Sequence, residues 1–570
     1  MIAAAALLLA AHVVAAAQPT KSVVAAAQPT KSVVAAAQPT KSVVAAAQPT
    51  KSVVAAAQDK DYRAALDLLY DGRAAEAQAR LSRLEMAYPE DPVPVYLQAL
   101  ALCWIVEQRP DSTALDPALE QAADRAWTAA DARLRADPDD ARARFARGAA
   151  SGVRSRYHLF RRHRAEAARS AAQMREDLLA ARAQDADDAD VQFGLGLYDY
   201  YVDVLPRLQR LLRFLSRLPG GDRARGLEAI RDAARASTLH GVEARVQLYE
   251  IHAFYEDDPD AAAADMEELA HRYPGWPLWG LKLAEHLRDR LGAYAESEAE
   301  ARRMLRAGGG TAPEPGAAAL ALARLSLGES LLLDLRPEEA RRVLLPLQEE
   351  TAGLPALSAQ ARVLLGRSLE LEGDREGAAA HYRAAAADRE ARPRAAAALA
   401  HPLPAAEVEG RQRLALARRA REDGRGEEAA ARAREALAAW PASREAALLV
   451  GEEELQGGRA ESARVPAIEE ARADEPPWLV PWSRLPRARQ ADAKGDREAA
   501  LVLYKQVYAS HCRRSELRAA AADGLRTPFR PETPRAAPSA PARMKRTSIS
   551  TAPGAAFLDV SRFSTGPCTG

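Results

Sequence analysis

A set of small and aromatic residues recurs at fixed offsets along this chain of 570 residues. In the clearest copy, Gly366 is followed by Gly373, Ala378, Tyr382 and Ala385, at offsets of 7, 12, 16 and 19 residues. Small residues at the first and third positions let two helices approach closely, and the glycine between them supplies the backbone freedom that ends the first helix. The aromatic residue then fills the gap between neighbouring hairpins. The frame therefore predicts two antiparallel helices joined by a tight turn.

Five further copies keep this frame with one or two members replaced. They lie around the turn glycines Gly72, Gly424, Gly458 and Gly495, and in a copy that begins at Gly328 and lacks the turn glycine. Alanine dominates the apolar residues and aromatic residues make up only 5%, a composition that favours helices over strands. We therefore expect an all-α chain from about residue 58 to residue 528.

The frame resembles the tetratricopeptide repeat, whose unit carries this pattern of glycine, tyrosine, alanine and proline over about 34 residues. Gly424 to Gly458 is a step of 34 residues. The resemblance implies an α-solenoid of helix hairpins in two sub-arrays, over 58–306 and 317–528, joined by a Gly/Pro linker at 307–316. It also implies a non-catalytic scaffold that binds a protein or peptide segment on its concave face.

In the family that this chain resembles, the first helix of each unit lines the concave face. Carrying over that frame gives a predicted groove of mixed acidic and apolar character, with three residues from each of three units: Leu325, Glu329, Leu332, Val363, Arg367, Glu370, Leu448, Glu452 and Leu455. Members that grip the carboxylate end of a chaperone use Lys and Asn at such positions. This chain has no Asn and very few Lys in the array, so that clamp is not evident.

The segment 203–226 does not follow the repeat, and we interpret it as an insert in the N-terminal sub-array. Four leucines in it share one helical face, while arginines cover much of the rest; the leucines are Leu208, Leu211, Leu212 and Leu215. We expect this face to pack on the solenoid. The alternative is a protein that docks on an anionic membrane surface through 205–218. The surrounding stretch, from Gly194 to Leu227, also resembles a block of a eukaryotic tetratricopeptide family linked to the mitochondrial outer membrane.

The N-terminus has the pattern of a secretory signal peptide, with an apolar run over 2–17 that ends in small residues, although no Lys or Arg precedes it. We therefore predict a signal peptide over 1–17 and a bacterial protein that is periplasmic or secreted; the alternative location is cytoplasmic. A decapeptide with one proline per copy follows, and it predicts an extended spacer over 18–57. The Pro- and Ser-rich residues 529–570 predict a disordered tail.

The sequence contains no motif for catalysis, and we predict no enzyme activity, no cofactor and no metal site. Cys103, Cys512 and Cys568 form no CxxC pair, and Cys103 lies in an apolar run that predicts burial; a Cys103–Cys512 bridge stays open. His158 and His163 are five residues apart, a spacing that turns them away from each other on a continuous helix. Aspartates beside prolines, such as Asp140 and Asp258, are expected to cap helices.

Charge excludes one class of partner. The 79 basic and 79 acidic residues cancel, whereas a general nucleic-acid binder depends on excess Lys and Arg to contact phosphates. We therefore expect no nucleic acid and an unidentified protein or peptide as the partner, with a membrane surface as the alternative.

Overall fold

The computed structural model describes residues 51–108, 112–204, 220–307, 317–351, 354–472, 475–510 and 515–530. Throughout these residues the regular structure is helical and no strand occurs, which confirms the all-α prediction. The predicted signal peptide, most of the spacer and nearly all of the C-terminal tail lie outside the described residues. So do residues 205–219 of the predicted insert and residues 308–316 of the predicted linker.

The described helices follow one another as short antiparallel hairpins. The first twelve are α1 (Lys51–Tyr70), α2 (Ala74–Ala87), α3 (Val93–Glu107), α4 (Asp116–Ala136), α5 (Ala141–Phe160), α6 (Arg164–Gln184), α7 (Ala189–Asp203), α8 (Arg223–Ala236), α9 (Gly241–Phe254), α10 (Pro259–Arg272), α11 (Pro277–Asp289) and α12 (Tyr294–Ala307). The next twelve are α13 (Ala317–Leu333), α14 (Pro337–Leu344), α15 (Leu347–Glu350), α16 (Pro355–Glu372), α17 (Arg375–Ala385), α18 (Arg392–Ala400), α19 (Ala405–Glu422), α20 (Gly426–Ala439), α21 (Arg444–Gln456), α22 (Leu479–Ala493), α23 (Arg497–Tyr508) and α24 (Ser515–Arg526).

The small residues of the frame lie where two helices of a hairpin touch. A Cβ placed on Gly366 would lie 2.5 Å from Cε1 of Tyr382, and one placed on Gly328 would lie 2.6 Å from Cδ2 of Leu344. Real Cβ atoms do not approach other carbons so closely, so a larger residue at either position would push the helices apart. The small residues of the frame therefore mark the places where the two predicted helices of a hairpin contact each other.

The glycines at the turn position adopt the left-handed backbone that the frame predicted. The φ angles are positive at Gly72, Gly373, Gly424, Gly458 and Gly495, where an L side chain would be strained. In the copy that lacks the turn glycine, Leu335 occupies the equivalent position with a φ of 59°. This copy therefore has the same left-handed turn, although leucine favours that backbone conformation much less than glycine does.

Aspartates cap several helices as predicted. The side chain of Asp140 accepts a hydrogen bond from the backbone N–H of Ala143 at 2.9 Å, and that of Asp258 accepts one from Ala261 at 3.0 Å. Each bond satisfies one of the backbone N–H groups that a helix N-terminus leaves unpaired.

Two predicted boundaries and one predicted helix differ from the structure. Helix α1 begins at Lys51, seven residues inside the predicted spacer. Within the predicted insert, Arg223 already begins α8, and a Cβ on Gly226 would lie 2.5 Å from the backbone N of Tyr200 in α7. The residues from 223 onward therefore belong to a tightly packed hairpin of the array.

The third difference concerns the copy around Gly458, whose predicted second helix is absent. Residues 459–472 form turns and irregular backbone, and a Cβ on Gly451 would lie 3.0 Å from the carbonyl oxygen of Arg464. Pro466 explains the difference, because proline removes a backbone donor and clashes with the preceding turn of a helix. Irregular chain therefore covers α21 where a helix was expected.

The two predicted sub-arrays are in direct contact on either side of the linker. Ser297 in α12 and Ser330 in α13 share a hydrogen bond of 2.9 Å between their hydroxyl oxygens. Arg336 forms an ion pair with Glu298 at 2.6 Å. Helix packing therefore continues from the N-terminal to the C-terminal sub-array.

The array also coils back on itself twice. In the first coil, the turn at Gly72 packs against Trp276, and the backbone N–H of Gly275 donates to Asp71 at 2.8 Å. In the second coil, the turn at Gly292 packs against Trp478, since a Cβ on Gly292 would lie 2.6 Å from Cδ1 of Trp478. We call residues 51–287 the first coil and residues 288–482 the second coil.

Candidate binding cleft

The inner side of the first coil is filled by its own side chains. Trp104 of α3 packs edge-on against Trp276 and Trp279, with ring centroids 5.6 and 5.8 Å apart. Around Glu243 of α9, the Tyr70 hydroxyl donates at 3.1 Å and the Trp104 indole donates as well. Tyr70, Trp104, Glu243 and Trp279 are buried and Trp276 is partly buried, so side chains fill the inner side of the first coil there.

The inner side of the second coil encloses a cleft of about 410 Å³, which we call the binding cleft. Its lining comes from the tip of α11 to the irregular chain before α22. The lining residues are Arg288, Asp289, Glu329, Leu332, Leu333, Leu335, Val363, Leu364, Arg367, Tyr382, Arg394, Ala398, Arg411, Leu414, Arg418, Trp440, Ser443, Arg444, Glu445, Glu475 and Pro476.

Aliphatic side chains from the first helices of successive units contribute an apolar part of the lining. They are Leu332 of α13, Val363 and Leu364 of α16, and Leu414 of α19. All four side chains are largely buried in the hydrophobic core behind the cleft. This apolar lining favours an aliphatic side chain over water.

Arginines and carboxylates make up most of the remaining lining, and several are fixed by ion pairs. Arg418 binds both carboxylate oxygens of Glu445 at 2.7 Å and donates to the carbonyl of Leu333 at 3.0 Å. Burial alone would lower the pKa of Arg418, but its hydrogen bonds and its Coulomb attraction to Glu445 outweigh burial and raise it. Arg418 is therefore charged and held in one orientation.

Two further arginines are held by more than one contact. Arg411 lies over the ring of Trp440, 4.7 Å from its centroid, and bonds to Glu407 at 2.8 Å. Arg444 bonds to Glu475 at 2.8 Å through its Nε. These contacts hold both guanidinium groups in place at the wall of the cleft.

Arg288 and Arg394 share one carboxylate. Nη2 of Arg288 lies 3.3 Å from Oε2 of Glu329, and Arg394 donates to Oε1 of the same side chain at 3.0 Å. Arg288 also pairs with Asp289 at 2.7 Å, whereas Glu329 is the only partner found for Arg394 within the described part of the chain.

Arg367 pairs with a buried carboxylate that also accepts hydrogen bonds from neutral donors. It donates to Oε2 of Glu370 at 3.2 Å, but that carboxylate also accepts from the Tyr382 hydroxyl at 3.1 Å and from the backbone N–H of Leu403 at 2.8 Å. Glu370 is buried with 4% of its surface exposed, while about a third of the Arg367 side chain is exposed. Arg367 therefore keeps N–H donors that face the cleft.

The structure divides the nine predicted groove residues into three groups. Glu329, Leu332, Val363 and Arg367 line the binding cleft. Leu325, Glu370, Leu448 and Leu455 are buried away from it. Glu452 accepts hydrogen bonds at 3.3 Å from Trp482 and Arg489 and so stabilises the contact between α21 and α22. The predicted membrane face, Leu208, Leu211, Leu212 and Leu215, lies outside the described residues, so the membrane alternative stays a prediction from the sequence.

Of the six arginines that line the cleft, only Arg367 was predicted from the sequence. The repeat frame could also have identified Arg418. Leu414 and Arg418 stand in the same relation to Ala417 as Val363 and Arg367 do to Gly366, so the frame could have assigned them to the groove. Arg394 had no comparable signal, because α18 is a short helix between two repeat units.

The other predicted features are found as follows. Cys103 is buried and free, and Cys512 lies outside the described residues. The rings of His158 and His163 lie 5.8 Å apart, so the expectation that they point apart was wrong: α5 ends at Phe160, and the left-handed Arg162 turns the chain back. Within the described residues, no three His, Cys, Asp or Glu side chains are grouped so that they could hold a metal. None of the helices in the described part of the chain has the length and apolar character needed to cross a bilayer.

Paired helices, frame glycines in contact and left-handed turns define an α-solenoid of tetratricopeptide-type hairpins with an arginine-rich internal cleft. No family model matches the chain, and no curated protein does. Among solved structures it is similar to yeast Tom70, with 10% identity, a TM-score of 0.26 and coverage of 83% of this chain and 90% of that chain. It is also similar to the P58(IPK) TPR domain, with 10% identity, a TM-score of 0.17 and coverage of 82% and 98%. A chain of the Naa15/Naa10 complex bound to HypK-THB has 14% identity, a TM-score of 0.17 and coverage of 82% and 79%.

Proposed function

We propose that this protein is a non-catalytic interaction scaffold that binds a peptide or protein segment in the binding cleft. The observation that carries the proposal is the cleft itself, which combines aliphatic lining with arginines and carboxylates inside the second coil. Its volume of about 410 Å³ has room for a few side chains. An extended segment that crosses the cleft could therefore place some side chains inside and leave its backbone near the surface.

The ion pairs around the cleft support binding by a preformed site. Arg411, Arg418 and Arg444 are each fixed by at least two contacts before any partner arrives. A site whose side chains are already ordered loses little conformational entropy on binding, so more of the contact energy remains as affinity. A stacked helical array suits this role because each hairpin is braced by its neighbours.

Selection from a displayed library of random linear peptides tests the proposal. Ala398 lines the cleft on α18, so Ala398→Trp should fill part of it and abolish the binding of peptides selected on the wild-type protein. Ala396→Trp is the matched control, since Ala396 is exposed and two residues away, about 200° around the same helix. Selected peptides that bind Ala398→Trp as well as the wild type would contradict the proposal.

We also propose that the protein is exported, on the basis of the signal-like run over 2–17. The mass of the N-terminus of the mature protein tests this. A start at Gln18, or at one of the equivalent glutamines of the decapeptides, supports cleavage after export. A start at Met1 contradicts it and makes cytoplasmic partners the first to be searched.

A further inference from the structure

A small cavity of about 140 Å³ lies in the first coil between α6, α7 and α8, and we call it the arginine pocket. The binding cleft lies in the second coil and shares no lining residue with it. The residues that line the arginine pocket are Arg175, Leu179, Arg182, Leu195, Asp199 and Arg225. A ligand of the arginine pocket would therefore bind at a site separate from the one proposed for a peptide segment.

The charges that line the arginine pocket are not balanced. Arg225 pairs with Asp199 at 2.8 Å and lies 3.9 Å from Asp222. Arg175 and Arg182, in contrast, form no ion pair with a carboxylate in the part of the chain that the structure describes. Three arginines against one aspartate leave the lining with an excess of two positive charges.

Arg175 and Arg182 lie on the same face of α6, because seven residues make about two helical turns. Leu179 lies between them on that face, and the buried Leu195 of α7 also lines the pocket. The guanidinium carbon of Arg175 lies 4.9 Å from the centroid of the Tyr198 ring, a cation–π contact that favours one orientation of this side chain. Both arginines are partly buried, so their charges are screened less than those of fully exposed side chains.

We propose that the arginine pocket binds the phosphoryl group of a phosphate monoester, with Arg175 and Arg182 donating hydrogen bonds to its oxygens. The N–H groups of a guanidinium form a fork that matches the oxygens of a phosphate, and hydrogen bonds between charged groups are stronger than neutral ones. A phosphate monoester carries a charge of about −1.5 to −2 at neutral pH, which matches the excess charge of the lining. A carboxylate would leave one of the two arginines without a counterion.

The size of the pocket favours a phosphoryl group over a larger anion. One water molecule takes about 30 Å³ in the liquid, so a volume of about 140 Å³ has room for a small oxyanion and leaves the rest of a ligand outside. The phosphoryl group can belong to a soluble monoester or to the headgroup of a lipid such as phosphatidic acid, since both present the same dianion.

Calorimetric titration of the full chain with glycerol 3-phosphate, at constant ionic strength, tests the proposal. Dimethyl phosphate is the matched ligand control, because a diester carries a single negative charge. The double variant Arg175→Gln/Arg182→Gln is compared with the wild type and with the control Arg383→Gln/Arg389→Gln. Arg383 and Arg389 are exposed, form no ion pair in the described chain and do not line the pocket, so the control removes the same charge elsewhere.

We expect the wild type and the control variant to bind glycerol 3-phosphate equally and to bind dimethyl phosphate more weakly. The double variant should bind glycerol 3-phosphate about 100-fold more weakly, because each arginine contributes hydrogen bonds between charged groups that are worth about tenfold in affinity. Circular dichroism and melting temperature establish that all the variants fold alike.

Asp199→Asn provides a second result, which a folding defect would not produce. The substitution removes the negative charge from the lining and frees Arg225 from its ion pair with Asp199. Glycerol 3-phosphate should therefore bind about threefold more tightly, a change of the size expected for one charge near the surface. An affinity that Arg175→Gln/Arg182→Gln leaves unchanged, or equal affinities of the wild type for the monoester and the diester, would overturn the proposal.

Flotation with phosphatidylcholine vesicles distinguishes the two sources of the phosphoryl group. Phosphatidic acid presents a monoester and phosphatidylglycerol a diester, so the two are added to separate vesicles. Flotation with phosphatidic acid alone, lost in Arg175→Gln/Arg182→Gln, would identify a lipid headgroup as the ligand. Binding of glycerol 3-phosphate without flotation would identify a soluble monoester. A wild-type protein that binds neither glycerol 3-phosphate nor these vesicles would overturn the proposal.

Discussion

Trp279 donates its indole N–H to the backbone carbonyl of Tyr70 at 2.9 Å, across a separation of 209 residues. The contact joins α11 to the end of α1 and closes the first coil. Around it, Tyr273 donates to Asp67 at 2.6 Å and Gly275 donates to Asp71 at 2.8 Å. Contacts between hairpins that are far apart in sequence therefore close the first coil. An open array would lack such contacts.

Trp279→Phe should weaken this closure. The substitution leaves the buried carbonyl of Tyr70 without its donor and replaces a fully buried indole by a smaller ring, so we expect a loss of about 2–3 kcal/mol in the free energy of unfolding. Hydrogen exchange should rise in Lys51–Tyr70 before it rises in the second coil. Trp127→Phe is the control, because Trp127 is only partly buried on α4; equal exchange in the two variants would show that the contact does not hold the coil.

The two left-handed turns at Gly373 and Arg162 should respond in opposite directions. Gly373 has a φ of 94° and open space around its Cα, so Gly373→Ala adds no clash and costs only the strained backbone, about 1 kcal/mol. Arg162 has a φ of 64° and is exposed, so Arg162→Gly should stabilise the protein by about the same amount. Urea denaturation measures both. A loss of stability in Arg162→Gly would mean that its side chain contributes more than its backbone costs.

The hairpins could be predicted from the sequence because each is determined by residues close together in the chain. The contact of Gly366 with Tyr382 and the left-handed turn at Gly373 fall within one repeat frame. Even the turn at Leu335, which lacks glycine, keeps the frame position. Local spacing therefore carried the fold class, and four of the nine residues that it assigned to the groove line the binding cleft.

The closure and the cleft could not be predicted in the same way. The bond between Trp279 and Tyr70 depends on the small rotations that accumulate over all the intervening hairpins, and no local pattern encodes their sum. The cleft likewise collects Arg288, Arg394 and Trp440 from separate units. The frame also assigns to the groove a residue that does not line it. Glu370 has the frame position of a groove residue, but its side chain is buried and accepts hydrogen bonds from Tyr382 and Leu403.

The backbone contact between α7 and α8 at Gly226 provides a third prediction. A Cβ on Gly226 would lie 2.5 Å from the backbone N of Tyr200 and 2.7 Å from the backbone O of Gly196. Because these atoms are backbone and cannot rotate away, Gly226→Ala must separate α7 from α8, and we expect a loss of about 2–3 kcal/mol. Gly426→Ala, at a helical glycine with no neighbour within 4 Å, should be neutral or slightly stabilising. Thermal unfolding compares the two, and equal melting temperatures would contradict the tight contact.

Glu250 on α9 is partly buried, and one of its carboxylate oxygens has no hydrogen-bond partner. Burial raises the pKa of this carboxyl above its ordinary value, against the opposing attraction of Lys282. A raised pKa means that the folded state binds the proton more tightly than the unfolded state does. Stability from this group is therefore fully present below its unfolded pKa and is lost as the pH rises through its folded pKa.

Glu250→Gln should consequently stabilise the protein at neutral pH, by about 1 kcal/mol, because it removes a charge that is buried without full compensation. The gain should shrink as the pH falls towards the ordinary range of a carboxyl, since the wild-type side chain is then protonated and equally uncharged. Denaturation by urea at a series of pH values measures the difference between the two proteins. Glu228→Gln, at an exposed position on α8, serves as the matched control, because it removes a carboxylate that is not buried. A constant difference between Glu250→Gln and the wild type across the series would mean that the charge of Glu250 is not what destabilises the fold.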